Sequence, residues 1–449
     1  MEKTATSKRI LGFPDAFWIA FAIMLAFFLK LVFDIQLDYA AYTPHVGKWT
    51  ELAKGTAHSG NLGVIQYYFT YHHLPDFSPL GTTGYADPPF FYIFCAGILE
   101  LTHRLGHWAI GTCLHCISCL NSVFTLVGIF SGIGILRKVG IRGRELVAAI
   151  LFLVFFPAYY FIGQRLNGDA MAFMFMALAL NAAFGWFQTR RKRTLIFVAV
   201  FFGLGALTSY AAFAVLPAII ALVIMAGLDG RTEGRVFRSQ VIPSAIVAGA
   251  MSLIWPVYNF IRFGVPLFYP GAPEGFAKVS SKAGFFTRMS PFPVFELFDH
   301  MKFYSLEGQW NICKQTVKST FLSEYLKSFN EFSWTLARIY VFCGIFVLTV
   351  MCILWIWALF TDLMPRFLKV FTVVGFVSML VGFQVFCFKN PYVEMMDIRF
   401  LPALFFFPLV GMACMSRSTG RVMRIVTAVE YWAIFVLAVL TAFLLGFYA

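Results

Sequence analysis

Charge is what this sequence has least of. Asp, Glu, Lys and Arg make up only 13% of its 449 residues, against 60% hydrophobic, and the mean hydropathy is +0.76. Soluble domains lie nearer about a quarter charged and about half apolar, so a water-soluble globular chain is excluded. Strand-like alternation is also missing. The apolar runs are continuous over about 20 residues, enough to cross about 30 Å of hydrocarbon as helices, which excludes a transmembrane β-barrel. A cleaved leader is not expected: the first apolar run is too long and lacks a small-residue cleavage site, so it reads as an anchor. No internal repeat is visible, and no large soluble domain is expected after the last apolar run.

Acidic residues are the scarcer sign, 22 against 35 basic, giving a net charge of +13. The basic residues sit at short breaks between apolar runs: Lys3, Lys8 and Arg9; Arg137, Lys138, Arg142 and Arg144; Arg190 to Arg193; Arg231 and Arg235; Arg417, Arg421 and Arg424. That is the positive-inside pattern, so the excess reports orientation and not a nucleic-acid partner. The nine cysteines fall mostly inside apolar runs and imply no disulfide framework. Cys113, Cys116 and Cys119 beside His115 mimic a metal motif, but along one apolar helix they read as small packing residues. No clustered carboxylates suggest a dedicated metal site, so no cofactor is expected and metal dependence stays open.

With the N-terminus in the cytosol, a first span near 11–33 delivers a polar loop, 34–88, to the outer face. Spans near 145–164, 170–187, 194–209, 211–227 and 239–258 come next, then a second outer segment, 259–334. Spans near 335–361, 367–387, 399–416 and 426–447 complete the chain. Residues 89–136 must cross a net single time, yet they look like two apolar segments: either 89–102 is a short partial insertion, the favoured reading, or 137–144 breaks the charge rule. The expected fold is an all-α polytopic membrane protein of about 10–12 transmembrane helices, built as a single domain over 1–449. Its site would be formed by 34–88 and 259–334.

The first outer loop is dense in His, Asp, Tyr and Pro: Asp38-Tyr39, Pro44-His45-Val46-Gly47, Tyr71-His72-His73-Leu74-Pro75-Asp76 and Tyr85-Ala86-Asp87-Pro88-Pro89. Polar groups held beside a bilayer usually build a site. Every other unusual polar cluster is assigned to the same face: Arg165-Leu166-Asn167-Gly168-Asp169, Thr208-Ser209-Tyr210, Asn259 to Arg262, Lys318 to Glu324, and Asp397-Ile398-Arg399. Arginine and lysine at that depth suit a lipid-linked phosphate, and a nearby carboxylate suits deprotonation of an acceptor hydroxyl. Structural roles compete with these. Asp397 and Arg399 can cap a helix and pair with each other, Asn167 and Asp169 can cap the next span, and Pro88-Pro89 can simply open a helix. Boundary tyrosines and tryptophans read as an interfacial belt rather than a sugar platform.

The chain resembles GT-C-type integral membrane glycosyltransferases, specifically bacterial relatives of the dolichyl-phosphate-mannose protein mannosyltransferase family, glycosyltransferase family 39. The resemblance runs through Pro44-His45-Val46-Gly47, Leu74-Pro75-Asp76, Ala86-Asp87-Pro88-Pro89-Phe90 and Asn167-Gly168-Asp169. It continues through Trp255-Pro256-Val257-Tyr258-Asn259-Phe260-Ile261-Arg262-Phe263-Gly264, Lys318-Ser319-Thr320-Phe321-Leu322-Ser323-Glu324 and Met396-Asp397-Ile398-Arg399-Phe400. It departs from the pattern where His45 stands at the family's catalytic-type Asp position and Asp87 replaces the histidine before the double proline. A family lysine near 209 is replaced by Thr208-Ser209-Tyr210.

The resemblance implies a GT-C-like bundle in the cell membrane. It would pass a sugar from a polyprenyl-phosphate donor to an acceptor on the extracytoplasmic face, with inversion. Asp87, or Asp38, would be the base, oriented by His45. Arg262, Lys318 and Arg399 would hold the donor phosphate, and Arg165, Asn167, Asp169, Asn259 and Asp397 would shape the sugar or acceptor pocket. The partners implied are the lipid-linked donor, surrounding membrane lipids, and a protein, lipid or envelope-glycan acceptor. A transporter of lipid-linked sugars, or an inactive polyprenyl-lipid-binding member, is the alternative. Sugar identity and oligomeric state are not readable.

Overall fold

The computed structural model describes residues 9–10, 13–14, 21, 24–25, 27–29, 60–80, 84–230, 234–269, 283–298, 310–322, 331–418 and 420–447. Most of the first span, and Asp38, His45 and Glu324, lie outside them. In chain order the helices are α1 (Gly60–Tyr71), α2 (Phe90–Leu99), α3 (Ile110–Lys138), α4 (Arg144–Phe155), α5 (Pro157–Gln164), α6 (Asp169–Thr189), α7 (Lys192–Ala206) and α8 (Leu216–Leu228). They continue as α9 (Gly234–Phe263), α10 (Phe285–Met289), α11 (Ile312–Phe321), α12 (Glu331–Leu359), α13 (Arg366–Lys389), α14 (Phe406–Met415) and α15 (Arg421–Phe447). A two-residue antiparallel pair, Arg9–Ile10 with Phe13–Pro14, is the extended structure among the described residues.

Seven helices among the described residues are long and apolar enough to cross a membrane, or eight if the bent pair α4–α5 is one span. The pair bends by 45° at Phe156, ahead of Pro157, whose ring cannot continue a helix from the previous turn. Two expected spans come out short. The stretch expected at 399–416 is helical only from Phe406, because Asp397 caps a separate turn and Pro402 interrupts the chain after it. The stretch at 194–209 forms α7, which ends at Ala206.

Residues 89–136 divide as a ten-residue helix, α2, and the full-length α3. At 1.5 Å per residue α2 spans about 15 Å, too short to cross, and it passes into a wider π-turn at Glu100–Leu105. The outer loop also contains a helix. In α1, Leu62, Val64, Ile65, Tyr67 and Tyr68 are buried, so this stretch packs as structure rather than remaining a solvated loop.

The main core runs through the bundle from Ile129 to Leu444. A smaller core ties α1 and α2 onto α3 and α6 through Ile65, Tyr85, Phe91, Cys95, Ile117 and Met171. Helix pairs without a hydrophobic drive between them rely on close approach. Gly128 of α3 is one such place, because a Cβ there would stand 2.6 Å from the Phe173 ring of α6. The nine cysteines are free thiols; on α3 Cys113 is buried, while Cys116 and Cys119 are half-buried. No group of three or more metal-capable side chains occurs among the described residues.

Replacing Gly128 with valine forces that ring aside, a cost of about 1–3 kcal/mol. The Gly128→Val chain is expected to unfold at lower temperature in detergent, while Gly249→Val, where a Cβ meets nothing within 4 Å, is expected to unfold near the wild-type temperature.

Candidate active site

A cavity of about 490 Å³ opens where α6 begins. Its lining is part polar, from Asp87, Asn61, Tyr92, Asn167, Asp169 and Arg399, and part apolar, from Phe213, Pro217, Phe268, Met379, Phe383 and Phe386. Polar groups drawn from four separate chain segments therefore share one cavity with a largely aromatic set.

Asp87 is placed by a clamped turn. Gly84 takes a positive φ of 91°, a conformation that favours glycine, and the Asp87 N–H donates to the Gly84 carbonyl at 3.3 Å. The Ala86 carbonyl accepts from the Trp255 indole at 3.2 Å, and the Phe90 N–H donates to the Leu207 carbonyl at 3.1 Å. Pro89 stands at the N-cap of α2, one residue before the first helical position.

Opposite, Asn167 and Asp169 brace each other. The Asn167 amide donates to Asp169 Oδ2 at 2.6 Å, and the Asp169 N–H donates to Asn167 Oδ1 at 3.2 Å. Asn167 thus satisfies a free N–H at the start of α6, the capping role its position suggests, while Asp169 faces the cavity. Between them Gly168 lets two loops close together: a Cβ there would lie 3.1 Å from Thr208 and 3.3 Å from Phe91.

Arg399 arrives from a 3-10 turn, Ile398–Phe400, capped by Asp397, whose Oδ1 accepts the Arg399 N–H at 3.0 Å. The side chains of both also reach other partners. Asp397 Oδ2 accepts from Arg165 at 2.8 Å, and Arg399 Nε lies 3.8 Å from Asp169 Oδ2. Arg165 and Asp397 are 5% and 2% exposed, so a buried ion pair stands behind the cavity wall. Asn121 of α3 donates to the Arg165 carbonyl at 2.7 Å, and Ser319 of α11 accepts the Ile398 N–H at 2.9 Å.

Electrostatics separate Asp87 from Asp397. Burial, then the charge of Asp169, pushes Asp87 up to about 7, against the opposing pull of Arg399 and the Tyr92 hydroxyl. Burial acts on Asp397 in the same direction, but Arg165, Arg399 and the Arg399 N–H outweigh it and hold that carboxyl below its usual range. Asp87 is therefore suited to exchange a proton near neutrality, and Asp397 to remain a fixed anion.

Of the residues singled out from sequence, Asp87, Asn167, Asp169 and Arg399 are brought together. Arg165 and Asp397 stand behind them. Arg262, Asn259 and Lys318 are not among the cavity-lining residues. Arg262 is exposed, with its guanidinium on the Tyr258 hydroxyl and over the Phe263 ring. Asn259 is buried in α9. Lys318 is buried on α11, the helix whose Ser319 holds the Arg399 turn, and burial, with the nearby Lys314, lowers its ammonium to about 8. Asp38 and His45 lie outside the described residues, so the His45/Asp87 exchange is not placed. Asn61, Tyr92 and Asn121 went unnamed in the sequence. A buried asparagine in the apolar α3 was the one readable signal, since a polar side chain there needs a partner.

Residues 86–260 match the sequence model of the family described as dolichyl-phosphate-mannose-protein mannosyltransferase. The solved structure of ArnT from Cupriavidus metallidurans bound to undecaprenyl phosphate is similar at 15% identity and a TM-score of 0.40. That similarity covers 90% of this chain and 77% of the other. No curated protein sequence matches the chain.

Removing one member of a buried ion pair leaves its partner uncompensated, at a cost on the order of 3–5 kcal/mol. Arg165→Met and Asp397→Leu are each expected to lower the unfolding temperature in detergent strongly, and the double variant to recover much of the loss. Because the Asp397 carboxyl is depressed, the pair's stabilisation is present at neutral pH and is lost as pH falls below the ordinary carboxylate value, near 4.

Proposed function

We propose that this protein is a GT-C-type membrane glycosyltransferase, a reading supported by the family match over residues 86–260, and that it moves a sugar from a polyprenyl-phosphate donor to an acceptor hydroxyl on the extracytoplasmic face, with inversion at the anomeric carbon. The observation that carries the reading is the cavity's mixed lining. A carboxyl poised near neutrality and an arginine share it with several phenylalanines. A lipid-linked donor is mixed in the same way, with sugar and phosphate at one end and hydrocarbon at the other.

In this mechanism the acceptor oxygen attacks the anomeric carbon as its proton passes to Asp87. The bond from that carbon to the phosphate oxygen breaks, and the electron pair leaves with the polyprenyl phosphate. Arg399 faces the departing anion, since its guanidinium can give several hydrogen bonds to phosphate oxygens. Asp169 keeps Arg399 within reach, and Asn167 fixes Asp169. The apolar lining from Phe213, Pro217, Met379, Phe383 and Phe386 suits the first isoprene units.

The assignment to the outer face is supported by the two ends of α6. Asp169 opens the helix at the cavity, and Arg190 comes directly after its last turn, paired to Asp229 at 3.1 Å. The helix has 21 residues, about 31 Å, roughly the hydrocarbon thickness. The basic end belongs in the cytosol by the positive-inside pattern, which leaves the cavity outside.

The test is release of free polyprenyl phosphate, measured by mass spectrometry, from purified protein given a panel of polyprenyl-phosphate hexoses and pentoses with candidate acceptors. Wild-type release that Asp87→Asn lowers by about 10²–10⁴-fold is expected. Because the base must be ionised, kcat/KM should rise with pH through about 7. Donor binding without release, in the presence of acceptors, would favour the transporter or the inactive lipid-binding reading. Release unaffected by Asp87→Asn would remove Asp87 as the base.

A further inference from the structure

Two side chains beside Asp87 have no part in the proposed transfer. Tyr92 of α2 is 3% exposed, and Asn61 stands at the start of α1. Both line the cavity. The Tyr92 hydroxyl donates to Asn61 Oδ1 at 2.9 Å and stands 3.5 Å from Asp87 Oδ2, placed to donate there as well. One phenolic hydroxyl carries one hydrogen, so it cannot donate fully to both, although its oxygen can also accept.

Asp87 presents two different demands to its neighbours. Ionised, it has only lone pairs and wants a donor. Once it has taken a proton it also carries an O–H and wants an acceptor. A hydroxyl with a second acceptor within reach can meet both demands by turning. We propose that Tyr92, with Asn61 as the alternative acceptor of its hydrogen, is a positioning residue whose hydroxyl turns with the charge state of Asp87. The inference rests on Asp87 being the base of the proposed transfer.

Before transfer, the Tyr92 O–H donates to the Asp87 carboxylate. After Asp87 has taken the acceptor's proton, its own O–H donates to the Tyr92 oxygen, and the Tyr92 hydrogen swings to Asn61 Oδ1. Tyr92 keeps its proton throughout, and the one on Asp87 is the one that left the acceptor. The carboxyl thus keeps a hydrogen-bond partner and one orientation in both states, which a site must do to hold the base against the reacting atom.

Five groups from different elements bear on the Asp87 charge. Asp169 at the start of α6 opposes it, Arg399 in the 3-10 turn favours it, Tyr92 favours it by hydrogen bonding, and Tyr210, at the start of the span ending in α8, faces it. Asn61 bears on it through Tyr92. Removing the Tyr92 oxygen therefore leaves burial and Asp169 less opposed, while removing the Asn61 carbonyl frees the Tyr92 hydrogen for Asp87 alone. The two changes should act in opposite directions.

The experiment measures polyprenyl phosphate release against pH for the full chain carrying Tyr92→Phe or Asn61→Leu, with thermal unfolding as a check on folding. In Tyr92→Phe the acidic limb of kcat/KM is expected to move up by about one pH unit, the loss of a hydrogen bond to a charged group. In Asn61→Leu it is expected to move down. A purely structural role would lower activity at all pH values and leave the limb in place. That outcome, or both limbs moving the same way, would overturn the proposal. If Tyr92→Phe does not fold, the direction of the Asn61→Leu limb decides by itself. Retained release in Asp87→Asn would remove the base and this inference together, whereas loss in Asp87→Asn with unmoved limbs removes the inference alone.

Discussion

The Arg165–Asp397 ion pair is the constraint around which the site is arranged. Two ions taken out of water cost several kcal/mol each unless their remaining hydrogen-bond capacity is also used. On Asp397 it is: one oxygen takes Arg165 and the other takes the Arg399 N–H, while Asn121 separately fixes the Arg165 backbone through its carbonyl. The pair therefore locks the segment before α6 to the turn between α13 and α14, positions more than 200 residues apart. Arg399 can reach Asp169 only because that turn is held, so the arginine lining the cavity inherits its place from a contact it does not make.

Broken helices do the rest. A continuous helix through the bilayer satisfies its own backbone and offers no polar end inside the protein. The ends of α5 and α6, the clamped turn before α2 and the 3-10 turns at Tyr210–Val215 and Ile398–Phe400 supply such ends, and most border the cavity. Their free N–H groups are met by Asn167, Ser209 and Asp397 side chains. The carboxylates consequently sit in surroundings dry enough to raise Asp87, yet close enough to arginine that Asp397 stays ionised.

Much of this was legible in the chain. Continuous apolar runs dictate a helical membrane bundle, because hydrocarbon tolerates few other backbones. The acid and base types needed for the site were also visible, since a polar cluster at a helix end in so apolar a chain needs a partner. Asp87, Asn167, Asp169 and Arg399 could be nominated on that ground alone. The short α2 was readable too, because the charge pattern allowed residues 89–136 only one net crossing.

The sequence by itself determined which residues face expensive surroundings, and hence which could be chemical; it did not determine which of them meet. Arg262 and Lys318 carry the same charge as Arg399 and lie in equally suggestive motifs, yet one rests on aromatic rings and the other is buried on α11, away from the cavity lining. Asn61 and Tyr92 gave no signal, because a tyrosine in an apolar helix reads as belt or core whatever its hydroxyl touches. Local pattern reports the environment each side chain must satisfy, through transfer energies that act residue by residue. The pairing of those side chains depends on how helices distant in sequence pack, and only the tertiary structure decided it.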